Sequence, residues 1–260
     1  MTMTIPAAIR IFVVLMFTVL AGGCATTPVT ADNPDPLEPA NRTFYSINDT
    51  LDKAILKPVA ETYADVTPQT VRDSITNFFD NLSYLNVALN SFLQGKFDQG
   101  LADTIRFAYN STFGVAGLFD IATPIGMPAH NEDFGQTLAT WGIGEGTYLY
   151  LPLEGPDTAG NLPNMATSLF LNPLTYVTGV VLFPLTALNI INKRANLLEA
   201  TNIRDEAAVD PYTFTREGYM QQRQYLIHDG NLPIEGYDDI FDDSNGEGSG
   251  DGESGVLRIE

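Results

Sequence analysis

The sequence predicts an all-α fold made of amphipathic and bent helices, with a glycine-rich irregular region between them. Apolar residues recur at the spacing of a helix face, and no segment shows the run of alternating strands typical of a β protein. In addition, residues 158–192 contain no Asp, Glu, Lys or Arg over 35 consecutive positions, although the chain is strongly acidic. Something other than water must therefore face much of that segment.

Residues 1–23 have the pattern of a bacterial lipoprotein signal peptide. Arg10 supplies a positive charge, residues 11–20 form an apolar run of ten, and small residues precede Cys24. Such a run is too short to cross a bilayer core of about 30 Å. We therefore expect Cys24, the only cysteine, to carry a lipid anchor. An ordinary secretory signal with an incidental cysteine is the alternative.

Composition divides the remainder into three parts. We expect residues 24–34 to form a lipidated linker rich in Pro, Thr and Asp, residues 35–234 to form the domain, and residues 235–260 to form a disordered acidic tail. The tail contains nine acidic residues and one basic residue. The whole chain has a formal net charge of -19, which argues against binding to nucleic acid or, by charge, to anionic lipid. Any contact with a membrane should be apolar.

Start signals place the helices along the domain. Thr67 with Pro68 predicts an N-cap followed by an amphipathic helix over residues 71–82, and a more apolar helix follows over residues 84–97. Asp98 is a candidate cap for the next helix. Asp210 with Pro211 repeats the cap pattern before a last helix over residues 212–228.

Residues 114–160 are rich in Gly and Pro and should form turns and short segments. Their many aromatic residues argue against disorder, and a long irregular connection in a compact domain is usually functional. Trp and Tyr rings are common at the boundary between lipid and water. We therefore expect Trp141 and Tyr148 to lie at a lipid interface.

The apolar residues 174–191 could barely span a bilayer as a helix, but Gly179 and Pro184 interrupt the segment. One interpretation is a buried core helix of a soluble domain. The other is a pair of bent helices within one membrane leaflet, which the complete lack of charge favours. The candidate embedded residues are Leu174, Val180, Leu182, Phe183 and Leu185.

The sequence carries no recognisable catalytic motif, and we expect no enzyme activity, metal or cofactor. The two histidines, His130 and His228, would need carboxylates to complete a metal site. Glu132 and Asp133 could serve as paired carboxylates in acid-base chemistry, although a role in a loop or helix cap is the simpler interpretation.

Several segments in the same order resemble the MlaA (VacJ) family of outer-membrane lipoproteins. They include DPLEPANRTFYSINDTLDKAILKPVAE from Asp35, VTPQTVRDSITNFFDNL from Val66, RFAYNSTFGVAGLFDIA from Arg106, EDFGQTLATWGIGEGTYLYLPLEGP from Glu132 and DPYTFTREGY from Asp210. The resemblance covers residues 35–234. The chain departs from the family pattern at Thr147, where proline is frequent, and after Pro156, where an Arg-Asp pair is missing.

The resemblance implies a helical ring embedded in the periplasmic leaflet of the outer membrane of a Gram-negative bacterium. A polar channel through the ring would remove stray phospholipids from the outer leaflet and pass them to a periplasmic carrier like MlaC. Trimeric porins are further partners in the family. The physical reason for such a channel is that a charged headgroup crosses bare hydrocarbon only at high cost.

The resemblance also suggests gate and channel residues. Asp35, Glu38, Asn41 and Arg42 match the opening motif, and Asn48 and Asp49 fall in the helix that follows it. Gln136 matches the family's central glycine motif, and Asp133 and Gln136 are polar groups of the kind that could line the channel. We expect the opening segment to act as a gate or brace, and Arg42 to pair with a carboxylate.

Two other functions remain open at this point. The chain could be a structural lipoprotein that supports porins without transporting lipid. It could also be a lipid hydrolase that uses a Ser or Asp together with His130.

Overall fold

The structure is a computed structural model that describes residues 35–231. The predicted signal peptide, Cys24, the linker, residues 232–234 and the acidic tail lie outside the described residues. Within the described part, the all-α prediction is confirmed, with one β-hairpin in addition.

Nine α-helices follow one another in the described part of the chain. They are α1 (Glu38–Leu51), α2 (Lys57–Val66), α3 (Gln69–Leu93), α4 (Phe97–Thr112), α5 (Phe134–Thr140), α6 (Leu162–Leu171), α7 (Gly179–Asn196), α8 (Leu198–Ala207) and α9 (Pro211–Ile227). A π-helical segment, Asp52–Leu56, joins α1 to α2, and 3-10 turns occur at Thr123–Ile125 and Pro173–Tyr176. The strands β1 (Tyr148–Leu151) and β2 (Gly155–Thr158) pair antiparallel, with Tyr148 opposite Thr158.

Contacts between successive elements close a ring. Helix α1 packs on β1, and β2, the partner of β1, packs on α9. Helix α9 then contacts α5, which contacts α3, and α3 contacts α7. Helix α7 packs on α2, which continues from α1 and so completes the ring. Helix α4 packs along α3, and α6 contacts both α3 and α5. Helix α8 contacts α2, α7 and α9. The hairpin is therefore one link of the ring, and it holds α1 on one side and α9 on the other.

Helix α3 corrects the prediction of two helices separated near residue 83. It runs unbroken for 25 residues, because the chain contains no Gly or Pro there and the Ser83 hydroxyl bonds to the Phe79 carbonyl within the helix. The helix also begins after Pro68, whose backbone is extended, so that the Thr67 side chain caps nothing. The next helix begins at Phe97, two residues earlier than a cap at Asp98 would give, and Asp98 lies in its first turn.

The uncharged segment forms α6, a 3-10 turn and α7, with Pro184 inside α7. Asn172 caps the 3-10 turn by accepting a hydrogen bond from the Leu174 amide. Within residues 35–231, no helix is both long and apolar enough to cross a membrane.

The buried residues of this domain are more often polar than apolar, which is the reverse of most soluble domains. In the described part, seventeen polar or charged residues are buried against ten apolar ones, whereas many large apolar side chains are exposed. Buried polar groups are tolerated only when they are hydrogen-bonded, and most of these are. The fold therefore depends on polar networks between helices as well as on apolar packing.

Tyr148 was predicted to lie at a lipid interface, but in the structure it is buried. Its ring is only 2% exposed and forms an apolar cluster with Tyr150 and Tyr212. The rings of Tyr148 and Tyr212 meet edge to face, with centroids 6.3 Å apart. The first and third residues of β1 both point inward, because side chains alternate along a strand.

Candidate functional site

The opening segment is bound to the hairpin through Asn41 of α1. The Asn41 amide nitrogen donates to the Tyr148 carbonyl at 3.1 Å, and its oxygen accepts from the Tyr150 amide at 2.9 Å. The same amide nitrogen donates to Asp35 Oδ1 at 2.9 Å. Asn41 is 2% exposed, so its side chain makes its hydrogen bonds inside the protein and not with water.

Asn48 makes the same kind of contact two turns further along α1. Its amide nitrogen donates to the Leu151 carbonyl at 2.8 Å, and its oxygen accepts from the Leu153 amide at 2.9 Å. Residues seven apart lie on one face of a helix. Asn41 and Asn48 therefore fasten one face of α1 to β1 and to the turn after it, and we call this pair the asparagine clamp.

Arg42 connects the opening segment to α9. Its guanidinium bonds to Glu38 at 2.7 Å and to both oxygens of Asp210 at 2.5 and 3.2 Å, and it lies 4.4 Å from the centre of the Tyr212 ring. The expected pairing of Arg42 with a carboxylate is confirmed. The hydrogen bond from Arg42 lowers the pKa of Asp210, and the bond from Thr213 acts in the same direction.

Asp35 lies in the same junction and is 4% exposed. It accepts hydrogen bonds from Asn41 and from the Tyr212 hydroxyl, and Arg216 lies 3.4 Å away. The Asp210 side chain accepts from the Tyr212 amide at 3.0 Å, which confirms the predicted cap of the last helix. The opening motif, the hairpin and α9 thus meet in one polar junction.

A cavity of about 470 Å³ lies next to this junction, between α1, the π-helical segment, the hairpin turn and the α7–α8 connection. Its lining combines apolar and charged side chains. The apolar residues are Leu51, Ile55, Leu56, Leu153, Pro156 and Leu197, and the charged residues are Asp49, Asp52, Glu154, Arg194 and Arg204. Burial raises the pKa of Tyr150, which also lines the cavity, to about 12, so that its hydroxyl stays neutral.

Two arginines place positive charge at the cavity. Arg194 bonds to both oxygens of Asp52 at 2.7 and 2.9 Å, and this pair connects α7 to the π-helical segment. Arg204 bonds to Asp205 at 2.7 Å and lies 3.8 Å from Asp49. The site therefore offers cationic, anionic and apolar surface within one space.

The structure places Asp133 and Gln136 away from this cavity. Asp133 caps α5 by accepting from the Gln136 amide at 2.8 Å, and it pairs with Arg223 at 2.5 Å. Arg223 also pairs with Glu145 at 2.8 Å. Gln136 is 1% exposed and donates to the Asn131 carbonyl. Both residues hold the glycine-rich region together, so their predicted role in lining a channel has no support in this geometry.

His130 takes part in a buried network that lacks the order of a catalytic triad. Its Nδ1 lies 2.8 Å from Asp103 Oδ1, and the Ser91 hydroxyl donates to Asp103 Oδ2 at 3.0 Å. A serine nucleophile needs the histidine between itself and the carboxylate, whereas here the carboxylate lies between the two. Lys96 and Gln99 bind the neighbouring Glu132 at 2.9 and 2.7 Å. Among residues 35–231, no cluster of three or more His, Cys, Asp or Glu side chains could hold a metal ion.

The predicted embedded residues lie on or beside α7. Val180 and Phe183 are 86% and 75% exposed, while Leu174, Leu182 and Leu185 are half-buried. Trp141 is exposed and donates its indole N–H to the Leu93 carbonyl at 3.1 Å.

Sequence reasoning missed Arg194, Arg204, Glu145 and Arg223. A signal was available for Arg194, because Lys193 and Arg194 are the first charged residues after the 35-residue uncharged stretch. The other three belong to ordinary charged helices or loops, and only tertiary contacts distinguish them.

Known proteins provide close comparisons for this arrangement. The family described as MlaA lipoprotein matches residues 33–226. The intermembrane phospholipid transport system lipoprotein MlaA of Escherichia coli is 33% identical over 229 residues, which cover 86% of this chain and 91% of that protein. An uncharacterized protein of Rickettsia bellii is 34% identical over 196 residues, or 74% of this chain and 76% of that protein.

A solved structure, described as "Structural basis for maintenance of bacterial outer membrane lipid asymmetry", superposes with a TM-score of 0.66 at 31% identity. The match covers 74% of this chain and 98% of that chain. Because both the sequence and the fold match over most of the described domain, this chain belongs to the MlaA lipoprotein family.

Proposed function

We propose that this protein removes mislocalised phospholipids from the outer leaflet of the outer membrane and passes them to a periplasmic carrier. The observation that carries the proposal is the cavity beside the asparagine clamp, which is lined by both apolar and charged side chains. A phospholipid has the same combination of surfaces. A relative with 33% identity over most of the chain is named for intermembrane phospholipid transport.

The protein sits in the periplasmic leaflet of the outer membrane and is anchored there through Cys24. The exposed apolar side chains of α6 and α7 support this placement, because such a surface would be costly in water and is favourable among acyl chains. Residues Leu169, Phe170, Val180 and Phe183 are 59 to 86% exposed. The helices satisfy their own backbone hydrogen bonds, as an apolar medium requires.

The cavity lowers the cost of moving a headgroup between leaflets. Charged groups are expensive to place in hydrocarbon, and the cost falls when a lining of polar groups replaces the lost water. Arg194 and Arg204 can face a phosphate, and Leu51 and Ile55 can face acyl chains. Transport in this way needs no covalent chemistry, so the protein acts as a conduit and not as an enzyme.

The partners we propose are a periplasmic carrier like MlaC, which receives the lipid, and a trimeric porin, which holds the ring in the membrane. Membership of the MlaA lipoprotein family supports both. The alternative is a structural lipoprotein that binds porin without transporting lipid.

Labelling outer-leaflet phospholipid in a strain that lacks the gene tests the proposal. Complementation with the wild-type chain should reduce the label, and Ile55→Trp, which fills the cavity, should not. Ile203→Trp is the matched control, because Ile203 is exposed on α8 and lies outside the cavity lining. Equal clearance by both variants would contradict transport through this cavity. An unchanged label on deletion, together with intact porin binding, would favour the structural alternative.

A further inference from the structure

The charges that line the cavity do not cancel. Asp49, Asp52 and Glu154 contribute three negative charges, and Arg194 and Arg204 contribute two positive charges, which leaves one negative charge in excess. The next charges outward are Lys53, which pairs with Asp49, and Asp205, which pairs with Arg204 and lies 4.0 Å from Lys57. These two cations and one anion offset the excess negative charge of the lining. A ligand that carries both a cation and an anion preserves this balance, whereas a ligand with a net charge disturbs it.

The two arginines differ in how many of their guanidinium nitrogens are already hydrogen-bonded within the protein. Arg194 uses all three guanidinium nitrogens, with Nε and Nη2 on Asp52 and Nη1 on Thr201 at 3.2 Å. Arg204 uses Nε and Nη2 on Asp205, and within residues 35–231 its Nη1 has no hydrogen bond. Guanidinium groups bind phosphate strongly. Arg204 is therefore the phosphate-binding candidate, and Arg194 is a structural support.

Glu154 is the acidic counterpart on the hairpin turn. It is exposed and lines the cavity, and no ion pair among the described residues includes it. The preceding residue, Leu153, has φ of +65°, which is unusual for a side chain other than glycine. Its amide is held by Asn48 at 2.9 Å. The asparagine clamp thus fixes a strained turn that presents an unpaired carboxylate at the cavity.

We infer that the cavity selects a zwitterionic phospholipid headgroup, with the phosphate on Arg204 and the ammonium group facing Glu154. This inference rests on the proposed function and adds the class of lipid to it. The acyl chains of the same lipid lie against Leu51, Ile55 and Leu197, which line the same space. An anionic headgroup keeps the phosphate contact but has no cation for Glu154.

Co-purification of lipid tests the inference. The full-length lipidated chain is incubated in mixed micelles with equal amounts of phosphatidylethanolamine and phosphatidylglycerol, and the retained lipids are quantified by mass spectrometry. Wild type should retain more phosphatidylethanolamine. Glu154→Gln should lower the ratio of retained phosphatidylethanolamine to retained phosphatidylglycerol by about two- to fivefold, which is the effect expected from the loss of one partly exposed ion pair. Arg204→Gln should reduce the retention of both lipids.

Glu199→Gln is the matched control, because it removes one negative charge from exposed α8 outside the cavity lining, and it should leave the ratio unchanged. Among the described residues, the Glu154 side chain has no hydrogen-bond or ion-pair partner to lose, so its variant stays informative even if Arg204→Gln fails to fold. If the chain retains lipid but Glu154→Gln does not change the ratio of phosphatidylethanolamine to phosphatidylglycerol, the headgroup inference is overturned and the transport proposal stands. Retention of neither lipid by wild type would overturn both.

Discussion

Asn41 and Asn48 make the same two-bond contact with the backbone of the hairpin, seven residues apart on one face of α1. Asn41 holds the middle of β1, and Asn48 holds the turn that leads to Glu154. The position of the cavity wall is therefore set by backbone hydrogen bonds to two side chains and not by apolar packing alone. Losing either asparagine would release one end of the hairpin.

Asn41→Ala should lower the free energy of unfolding by about 1–3 kcal/mol, because it leaves the buried Tyr150 amide and Tyr148 carbonyl without partners. Thermal unfolding of the detergent-solubilised chain, followed by circular dichroism, measures this. Thr43→Ala is the control on the same helix, since Thr43 is exposed and bonds only to the Pro39 carbonyl. Equal stability of the two variants would show that the clamp is dispensable.

Local signals were sufficient for much of the fold. The cap at Asp210 and the pairing of Arg42 were predictable, because a helix start depends on adjacent residues and a lone arginine in an acidic segment needs a carboxylate. The continuity of α3 could not be predicted in this way. Polar residues such as Asn81 and Ser83 suggest the end of a helix as long as their hydrogen-bond partners are unknown. Asn81 in fact bonds to Ser111 on α4 at 2.8 Å.

The candidate site was harder to predict, because it is assembled from distant segments. The carboxylate of Asp52 and the guanidinium of Arg194 are 142 residues apart in sequence. Asp133 and Gln136 were candidates for lining a channel because they are polar, but in the structure their side chains bond within the glycine-rich region and to Arg223. The hairpin was missed because each strand has only four residues, too few for a clear alternation.

Arg223→Met should be among the most destabilising substitutions in the domain. The side chain is 3% exposed and pairs with Asp133 and Glu145, so its removal leaves two carboxylates without their cation. Breaking a buried pair in this way typically costs about 3–5 kcal/mol. Denaturant unfolding in detergent measures the loss. Lys53→Met, which removes an exposed pair with Asp49, should cost less than about 1 kcal/mol, and a comparable cost for both would refute the argument.

Acid should destabilise the domain partly through Asp120. Burial alone would raise the pKa of this group, but hydrogen bonds from Thr123, Arg106 and Asn110 outweigh it and lower the pKa from 3.8 to about 2. A lowered folded-state pKa contributes stability above pH ~4, which is lost as the pH falls toward 2. The contribution is on the order of 2 kcal/mol.

The Asp120→Asn variant should therefore lose less stability than wild type between pH 5 and pH 2. Unfolding free energies at a series of pH values in this range, measured for both proteins in the same detergent, give the comparison. Parallel curves for the two proteins would mean that Asp120 does not contribute to acid unfolding.

Replacing both histidines should leave lipid clearance intact. His130 bonds to Asp103 in a network without triad order, and His228 is bonded to the Gln224 carbonyl at the end of α9. The double variant His130→Gln, His228→Gln should complement the deletion strain in the labelling assay. The purified wild-type chain should also release no fatty acid from phosphatidylethanolamine vesicles. Fatty acid release that the double variant abolishes would support the hydrolase alternative.

Introducing a charge on the exposed face of α7 tests the placement in the membrane. Val180→Asp and Phe183→Asp change side chains that are 86% and 75% exposed, so neither should disturb packing inside the protein. If the face is in water, these substitutions are neutral or favourable. If it lies among acyl chains, each carboxylate must be desolvated, at a cost of about 2.5–3.5 kcal/mol near the centre of a bilayer and less near its surface.

We therefore expect both variants, with Cys24 replaced so that no lipid anchor remains, to shift from the membrane fraction to the soluble fraction. Ala200→Asp is the matched control, because Ala200 is exposed on α8 among charged residues, and the same change there should leave partitioning unchanged. Flotation of the protein with vesicles measures the distribution. Since the anchor is absent from every protein compared, a difference between α7 and α8 can come only from the surface of the folded domain. If all three variants float to the same extent as the parent chain with Cys24 replaced, the exposed face of α7 is not in contact with lipid.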